Sequence, residues 1–148
     1  MSLHRQFADA PHKILALELG GNNPLVIWDA PDPHTAAVIA VQSAFLSAGQ
    51  RCTAARRLIV QDGQHEVLIG EIVKLANRLV VGEPMAKPAP FMGPLIDNNA
   101  ADALQEDYLD LVLKGARPLK HLERMDNKLP FLTPAVVDVT GVDKRPDV

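Results

Sequence analysis

The chain has one cysteine, one tryptophan and one tyrosine in 148 residues. A single cysteine excludes an internal disulfide, so Cys52 implies either a reducing compartment or a thiol kept for its reactivity. Aromatic residues make up only 4%, which leaves the core to Val, Leu, Ile and Ala. No cluster of basic residues exists. The densest stretch holds Arg51, Arg56 and Arg57 around the cysteine, and the net charge is −3. Nucleic acid needs a clustered basic face, so it is not an expected partner. The five histidines, His4, His12, His34, His65 and His121, never fall at metal-ligand spacing, and no metal site is expected. No apolar run reaches the length of a membrane span, and the residues after Met1 have no apolar core of a signal peptide. The expected setting is the cytoplasm.

What is present fits an ordinary globular domain, with 47% hydrophobic and 22% charged residues. Lys13–Leu19 (KILALEL) is an apolar run stopped by Gly20-Gly21 and reads as a buried strand feeding a turn. Pro24–Trp28 reads as a second strand. Asp32 is placed to cap a helix with Pro33 at its first position. That helix, from His34 to about Ala48, is apolar on nearly every side, which predicts burial all round. Gly49 ends it, and residues 50–53 form an exit loop. Leu58–Val60 reads as a third strand. A helix over Gln64–Val80 follows from Leu68, Ile72, Leu75 and Leu79 at helical spacing. Four prolines between Glu83 and Pro94 force an irregular connector. Asn98 reads as the cap of a further helix with a Leu104, Tyr108 and Leu111 face. Short strands at Arg117–Lys120 and Ala135–Val139 complete the pattern. Alternating strands and helices predict an α/β fold with a largely parallel sheet and flanking helices.

Chemistry concentrates at two points. Glu18 sits at the end of the first apolar run, beside glycines that permit close backbone approach. Cys52 sits on a loop after a rigid helix, where a scaffold can hold a nucleophile and leave it accessible. The interval from 18 to 52 is 34 residues, one strand and one helix, so the fold can bring the two together.

Leu17-Glu18-Leu19-Gly20-Gly21 resembles the glutamate signature of the aldehyde dehydrogenases, and Gly49-Gln50-Arg51-Cys52 resembles their cysteine signature at a similar interval. Phe91-Met92-Gly93-Pro94-Leu95-Ile96 and Phe131-Leu132-Thr133-Pro134-Ala135-Val136-Val137 resemble two later blocks of the same family. The resemblance implies a fold like that family's catalytic domain. It further implies Cys52 as the nucleophile that attacks an aldehyde and carries a thioester, and Glu18 as the base that activates water to hydrolyse it. NAD or NADP takes the hydride in between, and the Cys52 backbone N–H is one oxyanion donor. Gly20 and Gly21 are the implied points of cofactor approach. The substrate is a small-molecule aldehyde and the assembly a homo-oligomer. Asn22-Asn23-Pro24 replaces the Lys-Ser pair common after the two glycines, and with Cys-Thr-Ala-Ala-Arg-Arg narrows the resemblance to a semialdehyde-oxidising branch.

Plainer readings stand beside these. A lone cysteine often packs as a small hydrophobe, and a glutamate at a strand end is often a solvated edge charge. The matched flanks and interval favour the chemical roles. Arg51 beside the thiol is expected to favour thiolate, whereas Arg56 and Arg57 read as surface or inter-strand charges. Against the family pattern, residues 1–12 read as a leader and N-terminal segment, and 13–148 as a partial catalytic domain. No glycine-rich phosphate cradle occurs, so the cofactor-binding domain and a C-terminal segment are expected to be absent, and cofactor binding by this piece is not expected. Two other classes stay open: an aldehyde dehydrogenase of different substrate or acyl acceptor, including the coenzyme A kind, and a non-catalytic scaffold.

Overall fold

The computed structural model describes residues 2–63 and 65–142. The order of elements is α1 (Leu3–Phe7), β1 (Asn23–Ile27), α2 (Pro33–Phe45), a 3-10 turn (Leu46–Gly49), β2 (Ala55–Val60), α3 (His65–Arg78), α4 (Asn98–Leu113), β3 (Arg117–Lys120) and β4 (Val136–Asp138). β1 and β2 pair in parallel across the α2 crossover, while β3 and β4 pair antiparallel. The α/β class and the parallel pairing agree with the sequence pattern, and the second pair is a separate ribbon.

Helix α2 begins as its sequence dictates. Asp32 accepts from the His34 backbone N–H at 3.0 Å, and Pro33 fills the first turn, where no N–H is needed. The core forms where Ala37, Ala40 and Val41 of α2 meet Leu68 and Ile72 of α3. Leu25 and Ile27 of β1, with Leu58 and Val60 of β2, pack against this cluster from below. Burying a Leu or Ile here contributes about 2 kcal/mol. Alternation along β1 and β2 therefore points one set of side chains at the helices and the other away from them. His34 and Glu71 join α2 to α3 at 2.9 Å, and Lys74 meets the same carboxylate at 3.1 Å. These two partners, His34 first, hold the Glu71 carboxyl below its ordinary range.

Several expectations need correction. Lys13–Leu19 forms no strand, and Ile14 and Leu19 stand 98% and 77% exposed. An apolar run becomes a strand only when a neighbour satisfies its backbone groups, and no described segment pairs with this one. Helix α2 is not buried all round, since Ile39 lies exposed, as does Leu46 just past its end. Only the stripe facing α3 and the sheet has neighbours. Its end comes at Phe45, not Ala48, because Ser47, Ala48 and Gly49 all adopt positive φ. Asp97 rather than Asn98 caps α4, accepting from the Ala100 N–H at 2.8 Å. Of the expected α4 face, Leu104 is exposed, whereas Tyr108 and Leu111 are half-buried. Asn98 instead accepts from Arg124 at 2.8 Å, and Arg124 also reaches Asp102 and Gln105, which binds α4 to the loop after β3. The last strand covers Val136–Asp138, shorter than the expected 135–139. The start expected at Gln64 and the closing Pro146-Asp147-Val148 lie outside the described residues.

Candidate active site

Asn23 and Ala55 are register partners at the N-terminal ends of the two parallel strands. The segment carrying Glu18 runs into β1, and the loop carrying Cys52 runs into β2. Both candidate residues therefore approach the sheet from the same end. Pro24 then pairs with Arg57, so β2 carries one residue more than β1 at this point. That bulge leaves Arg56 and Arg57 both exposed. Arg57 donates to the Asn22 carbonyl at 2.8 Å, which fastens the turn after Gly20-Gly21 to the strand that follows the cysteine loop. Arg57 is thus an inter-strand tie, as its sequence position suggests.

Cys52 lies exposed on its loop. The Asn23 side-chain amide donates to the Cys52 carbonyl at 2.6 Å and to the Ala54 carbonyl at 3.1 Å. Within the loop, the Ala54 N–H donates to the Arg51 carbonyl at 3.1 Å. Gln50 donates to the carbonyls of Ser47 and Pro94, each at 3.3 Å, and its side-chain oxygen accepts from the Ile96 N–H at 2.8 Å. The third sequence block, residues 91–96, is thus tied to the cysteine signature by one side chain. The fourth block lies inside the fold, with Leu132 and Pro134 buried.

Arg51 makes contacts that its sequence position does not announce. Its guanidinium donates to the carbonyls of Gln42 and Ser43, at 3.4 and 3.2 Å. These are carbonyls of the last turn of α2, where a cation is welcome. Glu18 is exposed, and no hydrogen bond or ion pair among the described residues orients it. The groove between α2, α3 and Phe91, lined by Val38, Gln42, Leu75 and Arg78, contains neither Glu18 nor Cys52.

Gly20 and Gly21 lead into a strand, not a helix. A Cβ at Gly20 would meet nothing within 4 Å, and one at Gly21 would meet only Asn23 Oδ1 at 3.4 Å. A dinucleotide cradle needs a glycine turn opening a helix, whose N–H groups face the pyrophosphate. The described residues do not fit that group. They also contain no cluster of His, Cys, Asp and Glu able to hold a metal ion, and no helix long and apolar enough to cross a membrane.

The roles of Asn23 and Gln50 are not legible in the sequence. Asn23 reads there as a turn residue and Gln50 as part of a signature. The partners of Gln50 outside its own turn lie 44 and 46 positions away.

Residues 1–145 match the model of the aldehyde dehydrogenase family. The chain belongs to the aldehyde dehydrogenase family. It is 57% identical over 148 residues to the N-succinylglutamate 5-semialdehyde dehydrogenase of Sphingopyxis alaskensis, a match covering all of this chain and 31% of that protein. Among solved structures, it resembles the succinate-semialdehyde dehydrogenase of Burkholderia pseudomallei with a TM-score of 0.84 and 29% identity, over 95% of this chain and 28% of that one. It also resembles a glyceraldehyde-3-phosphate dehydrogenase of Methanocaldococcus jannaschii complexed with NADP, with a TM-score of 0.77 and 26% identity, over 91% of this chain and 29% of that one. The chain therefore spans about a third of the length of the curated relative it matches.

Proposed function

We propose that this chain is the nucleophile-bearing part of an NAD(P)-dependent aldehyde dehydrogenase whose substrate is N-succinylglutamate 5-semialdehyde. Cys52 is the nucleophile and Glu18 the general base. The supporting observation is the shared sheet end: Asn23 and Ala55 pair in register, so the segments bearing Glu18 and Cys52 enter side by side. The substrate rests on the name of the Sphingopyxis relative.

In this reading the Cys52 sulfur adds to the aldehyde carbon, and the carbonyl oxygen gains a proton as the thiohemiacetal forms. Oxidation to the thioester needs a hydride acceptor, the chemistry a bound nicotinamide cofactor would supply. Water then attacks the thioester carbon while Glu18 takes its proton, and the C–S bond breaks to return the thiolate. Gly20 and Gly21 leave open space beside the Glu18 segment for a cofactor to approach. The complete protein works as a homo-oligomer on a small aldehyde.

Acyl transfer without a cofactor tests both residues in this chain. With p-nitrophenyl acetate, the Cys52 sulfur bonds to the acetyl carbon. The C–O bond breaks, nitrophenolate leaves with the electron pair, and the thiol proton passes to solvent. We expect one acetyl group per chain on Cys52 by mass spectrometry and none in Cys52→Ala. Glu18→Gln should acylate normally and lose the acetyl group about a hundredfold more slowly. Acetylation elsewhere, or deacylation unchanged in Glu18→Gln, refutes the corresponding role.

A further inference from the structure

We propose that Asn23 and Gln50 are positioning residues for the nucleophile, two side-chain amides that grip the Cys52 loop from opposite ends; this rests on the reading of Cys52 as nucleophile. The ties bracket the thiol. Gln50 fixes the approach to it through the carbonyl of Pro94 and the N–H of Ile96, and Asn23 fixes the departure through the carbonyls of Cys52 and Ala54. Both atoms facing Asn23 are carbonyl oxygens, so the group between them must be its amide nitrogen, which has two N–H donors for two acceptors. The Cys52 carbonyl belongs to the peptide plane that follows the nucleophile, and holding it fixes the direction in which the side chain leaves the backbone.

The loop needs such ties because it has little else. Cys52 is exposed, and the stretch before it passes through Ser47 and Ala48 at φ of 57° and 54°, a conformation L-residues resist. Beyond the turn bond between Ala54 and Arg51, the residues between Gln50 and β2 form no backbone ladder of their own. Reactions at a positioned nucleophile lose rate steeply with small displacements. An exposed thiol on an untied loop remains reactive toward small reagents and loses its orientation.

That difference supplies the test. Two second-order rate constants are measured at Cys52 in the 148-residue chain. One is alkylation by iodoacetamide, which needs only an accessible thiolate. The other is acylation by p-nitrophenyl acetate, which also needs the developing oxyanion to meet the loop's N–H groups. The ratio of acylation to alkylation should fall about tenfold in Asn23→Asp and in Gln50→Ala, each of which removes donors from the loop. Asn23→Ser keeps a donor and should recover part of the loss. Hydrogen exchange at Ile72 in α3 should match the wild type and so separate loop loosening from unfolding. If Asn23→Asp does not fold, Gln50→Glu replaces it, retaining the acceptor for Ile96 and losing the donor for Pro94. Wild-type acylation with an unchanged ratio in the variants overturns the positioning role and leaves the nucleophile standing. A folded wild-type chain that is alkylated but never acylated overturns the nucleophile reading, and the positioning role with it.

Discussion

Val26 and Ile59 are register partners in the parallel strand pair, and both point away from the helices, 57% and 46% exposed. Trp28, one alternation further along, is 64% exposed. Among the described residues this sheet has two strands, so each has an outer edge without a strand partner. Exposed apolar faces and unpaired edges both favour association, and a net charge of −3 opposes it weakly. The chain should self-associate at micromolar concentration. Val26→Lys with Ile59→Lys should shift it toward monomer at little cost to the core beneath. Sedimentation showing a 16.1 kDa species at every concentration would sink the idea.

Gly49 ends the left-handed run at φ 71°, and a Cβ there would stand 2.9 Å from the Ala44 carbonyl oxygen. Gly49→Ala should destabilise the chain by about 1–3 kcal/mol. Ala48→Gly relieves a non-glycine residue of the same conformation and should stabilise it by about 1 kcal/mol. Thermal unfolding of the two variants should move in opposite directions. A shift of the same sign in both would contradict the turn geometry.

Asp138 carries a pH signature. The Thr140 backbone N–H donates to its carboxylate at 2.9 Å, the Thr140 hydroxyl adds a second bond, and Arg117 approaches at 3.1 Å. In that order these hold its pKa down from 3.8 to about 2. A depressed carboxyl stabilises the fold above its unfolded pKa, and the contribution disappears as pH falls through the folded value. Asp138→Ala should therefore cost stability near neutral pH, and the gap to wild type should close between pH 3.8 and about pH 2. Denaturant titrations at a series of pH values read this directly. A gap that persists at still lower pH points to packing instead.

The chain by itself should bind neither NAD nor NADP. Gly20 and Gly21 open a strand, and no helix N-terminus follows them to receive a pyrophosphate. Calorimetry with each cofactor should give no heat of binding. Aldehyde-dependent reduction of either by a pure preparation would refute the argument.

Local signals are readable in the sequence wherever they suffice. Leu68, Ile72, Leu75 and Leu79 repeat at helical spacing, and α3 forms with that stripe against the core. Asp32-Pro33 announces α2, since capping depends on neighbours a few positions away. Glu18 and Cys52 can be singled out because their flanks carry the family's signatures. The rest needs a partner that composition cannot name. Lys13–Leu19 has the residues of a strand and no described strand beside it. The apolar excess of α2 gives no clue to which stripe finds neighbours. The start of α4 is local yet ambiguous: Asp97 and Asn98 are both good caps, and Arg124, far along the chain, claims the asparagine.

Gln50 joins its loop to residues 44 and 46 positions further on with one side chain. A strand ladder would have required matched lengths on both sides. A single amide meeting one carbonyl and one N–H does not. The proline-rich connector is thereby free to gain or lose residues over evolution, provided the two ends return to the same place, whereas α3 is held in register by its core stripe. Insertions between Glu83 and Ala89 should be tolerated far better than a change at position 50.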